Sequence, residues 1–205
     1  LCEFLIRYNM SFDTHHWLKS PHIQMVGAYF WPPGSPPPSK TELIDIGNGD
    51  KLACEVSTPP NYEKTVILIH GLGGCSESPF MIRIGRKIYE KGLRVVRVNL
   101  RNCGIGKGLS QLPYNGGNSQ DLDKVVRHFK GPITVIGFSM GGNIALKMAA
   151  ENPDLKVKII GICPAYDLLY SVKNIDHSPF YHKSYLKHLL KTSLPWSAVK
   201  NISTI

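Results

Sequence analysis

Residues 133–148 read ITVIGFSMGGNIALKM. Ile133 to Phe138 is a short apolar run rich in β-branched residues, the pattern of a strand buried on both faces. Beyond Asn143, Ala145, Met148 and Ala149 recur at helical spacing. Between strand and helix stands Gly137-Phe138-Ser139-Met140-Gly141, which fits G-x-S-x-G, the sharp turn that presents a nucleophilic serine. The pattern has a steric cause. A residue on so tight a turn takes a strained backbone, and side chains two positions before and after it would collide, so glycines stand there. The helix that follows Ser139 aims N–H groups and the positive end of its dipole at the turn.

Outward from this unit the chain alternates strands and helices. Thr65–Ile69 (TVILI) is a continuous apolar strand running into His70-Gly71-Leu72-Gly73-Gly74. Ser78-Pro79 predicts the start of a helix through about Lys91, with Met81, Ile84 and Ile88 on one face and Gly92 as its stop. Leu93–Leu100 predicts the next strand. Asn118 or Ser119 is the expected cap of a helix to about Lys130, with Leu122, Val125, Val126 and Phe129 on its apolar stripe. The helix after Ser139 is expected to end at Asn152-Pro153, and Lys158–Cys163 reads as another strand. Earlier, Glu42–Ile46 and Lys51–Ser57 flank Gly47-Asn48-Gly49-Asp50 as a hairpin. The fold class expected is α/β: a mostly parallel sheet with helices on both faces.

The organisation follows. Residues 1–40 form an arm and Pro-rich linker, ending in PPGSPPP at 32–38. In that arm, Ser20-Pro21-His22 opens a short helix through Val26, and the adjacent His15-His16 is not a metal pair, having no acidic or Cys partner nearby. Residues 41–164 form the α/β core. Residues 165–205 no longer alternate. There Tyr181, Tyr185 and Leu189 share a helical stripe, and Lys183, Lys187 and Lys191 make a basic one. That helix is read as the start of a lid or cap, as a membrane-surface contact, or as an ordinary packed helix.

Composition narrows the function classes. The chain of 205 residues, 42% hydrophobic, is long enough for one domain with a sizeable core. No apolar run is long enough to span a bilayer, and the first residues lack the marks of a signal peptide. Cys2, Cys54, Cys75, Cys103 and Cys163 are scattered and lack CxxC pairing, which favours free thiols in a reducing, cytoplasmic setting over disulfides or a zinc site. The net charge of +9 is spread out, so it predicts a solvated basic surface and no nucleic-acid partner.

Acyl transfer needs a nucleophile, a base, a group to orient the base, and donors for the oxyanion. Ser139 is the candidate nucleophile. Met140 would supply one oxyanion N–H, and Leu72, in the glycine-rich loop after an earlier strand, the second. His70 precedes the nucleophile and is expected to shape that loop by hydrogen bonding. Two rival glycine readings fail. Gly104, Gly106 and Gly108 have the wrong spacing for a dinucleotide site and no opening helix after them, and Gly106-Lys107-Gly108 lacks the Ser or Thr of a phosphate loop.

With these residues in place the chain resembles an α/β-hydrolase, and more closely the YheT-like family of esterases and lipid hydrolases. The resemblance rests on Pro21-His22-Ile23-Gln24, the 70–74 loop with Ser78-Pro79-Phe80, Asn99-Leu100-Arg101-Asn102-Cys103-Gly104, the 137–143 turn with Leu146-Lys147, and Phe180-Tyr181 to Lys191. It implies ester hydrolysis through a Ser–Asp–His triad, short- or medium-chain acyl esters or lipids as substrates, and no metal or organic cofactor. The family's acid and base lie beyond its cap, where this chain stops. A compressed triad would draw on Asp167 with His177, His182 or His188. The plain alternative makes Asp167 a turn or cap residue and the histidines solvent-facing. The reading is of a fragment or shortened product of a longer hydrolase, with Lys158–Cys163 left as an apolar sheet edge. Its rivals are an inactive binding or interaction protein and a basic membrane-surface protein.

Overall fold

The computed structural model describes residues 19, 20, 23, 24, 27, 30–177, 182, 183 and 186. The chain divides between Pro32 and Pro33, and the sheet lies wholly in the second part. The expected helix near Ser20, the His15-His16 pair and the Tyr181–Lys191 stripe fall mostly or entirely outside the described residues.

Six strands form one sheet: β1 (Lys40–Gly47), β2 (Asp50–Ser57), β3 (Thr65–Ile69), β4 (Arg94–Val98), β5 (Ile133–Phe138) and β6 (Val157–Ile162). Their order is β1-β2-β4-β3-β5-β6. β2 is antiparallel to both β1 and β4, and the pairings from β4 through β3 and β5 to β6 are parallel. The hairpin turns on Asn48 (φ 56°) and Gly49 (φ 80°), both left-handed, as a two-residue turn matched to strand twist requires.

The helices are α1 (Pro79–Glu90), α2 (Ser119–His128), α3 (Met140–Glu151) and α4 (Leu168–Asp176). Strand alternation separates two cores. On one face Ile67, Ile69, Val96, Val98 and Val135 pack with Leu122, Val125, Val126, Phe129, Ile144 and Met148 from the α2–α3 side. On the other, Val66, Leu68 and Val95 meet Met81, Ile84 and Ile88 of α1. Each fully buried side chain such as Leu122 or Ile144 contributes about 1.5–3 kcal/mol relative to exposure. Gly85 belongs in α1 because a Cβ there would stand 3.1 Å from Cδ of the buried Arg97 on β4.

Ser78 and Asn118 stand at the expected N-cap positions, but neither side chain makes a capping bond. The Ser78 side chain makes no capping bond to α1, because its hydroxyl accepts the Cys75 N–H at 3.0 Å. Asn118 likewise turns its carbonyl oxygen to the Asn115 N–H, and the Ser119 hydroxyl bonds to Glu151. In both cases the preceding loop outcompetes the helix for the side chain. α4 is an element the sequence pattern did not predict. Asp167 is its N-cap, with Oδ1 accepting the Tyr170 N–H at 2.8 Å.

Among the described residues β6 pairs only with β5. Its ladder partners Ile136 and Phe138 belong to the α1-side core, and Ile160 and Ile162 beside them are 47% and 40% exposed. The apolar edge expected at this strand is therefore present. No helix among the described residues is long and apolar enough to cross a membrane.

Candidate active site

β3 and β5 are parallel neighbours, with Ile69 opposite Gly137. Both strands therefore release their following loops at one end of the sheet, where ligands bind in open α/β sheets. Ser139 follows β5 there. Its backbone sits at φ 51° and ψ −117°, a conformation that costs a non-glycine residue about 1–3 kcal/mol. Four bonds hold it. The Ser139 N–H donates to the Ile162 carbonyl at 2.9 Å, and the Ser139 carbonyl accepts from Gly142, Asn143 and Ala165 at 3.0, 3.1 and 3.3 Å. The side chain remains exposed.

The flanking glycines are sterically required. A Cβ on Gly137 would overlap the Gly141 carbonyl and lie 2.6 Å from the Gly142 Cα. A Cβ on Gly141 would come within 2.7 Å of the Ile69 oxygen. Met140, buried, is the first residue of α3, so helix geometry leaves its N–H without an intrahelical partner.

The 70–74 loop lies against this turn. A Cβ built on Gly71 would stand 3.1 Å from Ser139 Cβ and 3.7 Å from its Oγ. His70 is fully buried. Its Nε2 accepts the Leu100 N–H at 3.1 Å, which leaves the proton on Nδ1, donated to the Gly71 carbonyl at 2.8 Å. That carbonyl also accepts the Gly74 N–H at 3.1 Å. Gly71 C=O and Leu72 N–H share one planar peptide, so fixing the first fixes the direction of the second. His70 thus shapes the loop, as its position in the sequence suggests. The Leu72 side chain anchors on the α2–α3-side core.

Two features near the loop carry no sequence motif. Tyr114, buried, accepts the Gly73 N–H on its hydroxyl at 2.7 Å. Arg101 spans Asp50 at 2.5 Å and Asp121 at 2.5 and 2.8 Å, tying the hairpin and α2 to the loop after β4. Only distant pairing in the fold brings these residues together.

Two residues of a compressed triad are otherwise engaged. Asp167 is the α4 cap described above. The His177 ring Nδ1 donates to the Lys173 carbonyl at 2.6 Å. His182 is described only as helical, and His188 lies outside the described residues. Gly104–Gly106 forms a 3-10 turn whose Gly104 Cβ position is 2.9 Å from Cys75 Cβ, so it packs on protein. An open hollow of about 540 Å³ lies one turn along α3, lined by Gly116, Gly117, Asn143, Lys147, Tyr166, Asp167 and Leu168. Ser139 and the 70–74 loop do not line it. Among the described residues no three His, Cys, Asp or Glu side chains cluster to hold a metal.

A family model described as the alpha/beta hydrolase fold matches residues 64–192. YheT of Escherichia coli strain K12, an esterase by name, is 24% identical over 163 residues, covering 74% of this chain and 48% of its own length. A Haemophilus influenzae protein named as an esterase/lipase is 32% identical over 98 residues, covering 47% of this chain and 33% of its own. The solved esterase EaEST from Exiguobacterium antarcticum superposes with a TM-score of 0.54 at 25% identity, covering 62% of this chain and 46% of that one. This chain spans half or less of the length of these relatives. A strand order with parallel β3 and β5 feeding the serine turn, together with a family match over residues 64–192, places the chain in the α/β-hydrolase family.

Proposed function

We propose that this chain carries the nucleophile and oxyanion half of a serine ester hydrolase. Ser139 Oγ attacks the acyl carbonyl carbon, and the alcohol leaves with a proton. Water then releases the acid and restores the serine. The Leu72 and Met140 N–H groups receive the oxyanion, each such donor being worth about 10²–10³ in kcat. The observation that carries this reading is the exposed Ser139, held at φ 51° between required glycines with Gly71 against it. Short- or medium-chain acyl esters and lipids are the substrate class, in keeping with the names of the relatives.

The resemblance puts the base and its orienting acid beyond the cap, and neither is assigned to a residue of this chain. His70 has both ring nitrogens engaged, and His177 is bonded to its own helix. The same observation favours a second reading, in which this chain alone is a binding or interaction protein with no turnover.

Labelling with a fluorophosphonate probe, with Ser139→Ala as control, separates the two. Labelling lost in the variant supports a reactive Ser139. A folded chain that resists the probe, and leaves p-nitrophenyl esters of two to eight carbons untouched, supports the second reading.

A further inference from the structure

The 70–74 loop has three glycines in five residues, so little in its own backbone holds it rigid. Its first half is fixed from β3 and β4 through His70, which locks the peptide that carries the Leu72 N–H. The next residue, Gly73, sits at φ 71° and gives its N–H to Tyr114, 41 positions along the chain, at 2.7 Å. Tyr114 is 8% exposed, and its ring meets the His70 ring edge-on at 6.1 Å. Burial raises the Tyr114 phenol well above its ordinary value, so it stays protonated while its oxygen accepts the Gly73 N–H. A phenylalanine ring would fill the same apolar space. The hydroxyl is therefore the feature that needs an explanation.

We propose that Tyr114 is a positioning residue for the oxyanion loop: its hydroxyl holds Gly73 and thereby keeps the Leu72 N–H beside Ser139. This rests on the assignment of Ser139 and Leu72 made above. Leu72 lies between two clamped neighbours, the Gly71 carbonyl on His70 and the Gly73 N–H on Tyr114. Releasing the second clamp lets the peptide planes around Leu72 rotate. Oxyanion stabilisation depends on donors fixed before the reaction, so the loss falls on the chemical step.

The test is Tyr114→Phe in the whole chain, read in two ways. Amide hydrogen exchange at Gly73 and Leu72 is expected to accelerate about tenfold, from the loss of one buried hydrogen bond, while β3 and β5 amides stay protected. Fluorophosphonate inactivation is expected to slow about tenfold in its limiting rate, with the half-saturating probe concentration unchanged. A general loss of structure would move both parameters and all amides. Should Tyr114→Phe melt early, the same two readouts taken at a temperature where its β3 and β5 amides stay protected carry the comparison. Unchanged exchange at 72–73, or faster exchange with an unchanged limiting rate, overturns the proposal. A parent chain that resists the probe counts against the Ser139 assignment alone, because the exchange comparison still decides whether Tyr114 holds the loop.

Discussion

Gly137 and Gly161 face one another across the β5–β6 ladder, yet alanine is expected to have opposite consequences at the two. At Gly137 the new Cβ would overlap the Gly141 carbonyl oxygen and lie 2.6 Å from both the Gly141 carbonyl carbon and the Gly142 Cα. These are backbone atoms of the first turn of α3, and they have no rotamer to give. That turn is itself pressed on β3, since a Cβ at Gly141 would already reach within 2.7 Å of the Ile69 oxygen. Overpacking costs about 1–3 kcal/mol when side chains can adjust, so a backbone clash belongs at the upper end, about 3 kcal/mol. Stiffening of the unfolded chain returns at most about 1 kcal/mol. The net loss is about 2–3 kcal/mol, and with a urea slope of about 2 kcal/mol/M the midpoint should fall by about 1–1.5 M. At Gly161 the nearest atoms are Leu146 Cδ1 and Pro164 Cγ, both at 3.4 Å, which is ordinary contact. Gly161→Ala should therefore stay within about 0.5 kcal/mol of the parent. Urea titration followed by far-UV circular dichroism measures both. A Gly137→Ala midpoint indistinguishable from the parent's, or equal damage from the two substitutions, would refute the steric account of the turn.

Three further outcomes are expected. Arg101→Met strands Asp50 and Asp121, whose side chains are only 8% and 7% exposed, and should cost about 3 kcal/mol in the same titration. Asp167→Ala should remove about 1 kcal/mol of α4 capping while leaving the phosphonate labelling rate of Ser139 within about twofold; a tenfold drop would place Asp167 in the chemistry instead. Burial pushes the Cys103 thiol up to about 12 from an ordinary 9.0, so the folded state holds that proton more tightly than the unfolded chain does. Its contribution to stability is whole below about pH 9 and drains as pH rises towards 12. At pH 8 iodoacetamide should modify the exposed Cys163 before Cys54 or Cys103, which peptide mass mapping would show.

The core elements were legible because their signals are local. Thr65–Ile69 has the boundaries its apolar run predicts, and the α2 stripe of Leu122, Val125, Val126 and Phe129 is buried as its spacing requires. The Asn48-Gly49 turn follows from residues that tolerate positive φ. The cap positions were legible but their bonding was not, because Ser78 and Asn118 each have a nearer donor in the loop, and spacing does not rank such competitors. α4 was missed because nine residues with a single capping Asp make a weak periodic signal.

The candidate site divides along the same line. That Ser139 stands on a strained turn is written into Gly137 and Gly141, since the clash they avoid lies within five residues of chain. What faces that turn is a matter of strand order. β3 and β5 are separated by β4 in sequence but adjacent in the sheet, and that crossover sets Gly71 against Ser139. Tyr114 reaches Gly73, and Arg101 reaches Asp50 and Asp121, across 20 to 51 residues. No periodicity records such pairings, because they arise when two loops are released at the same end of a parallel sheet.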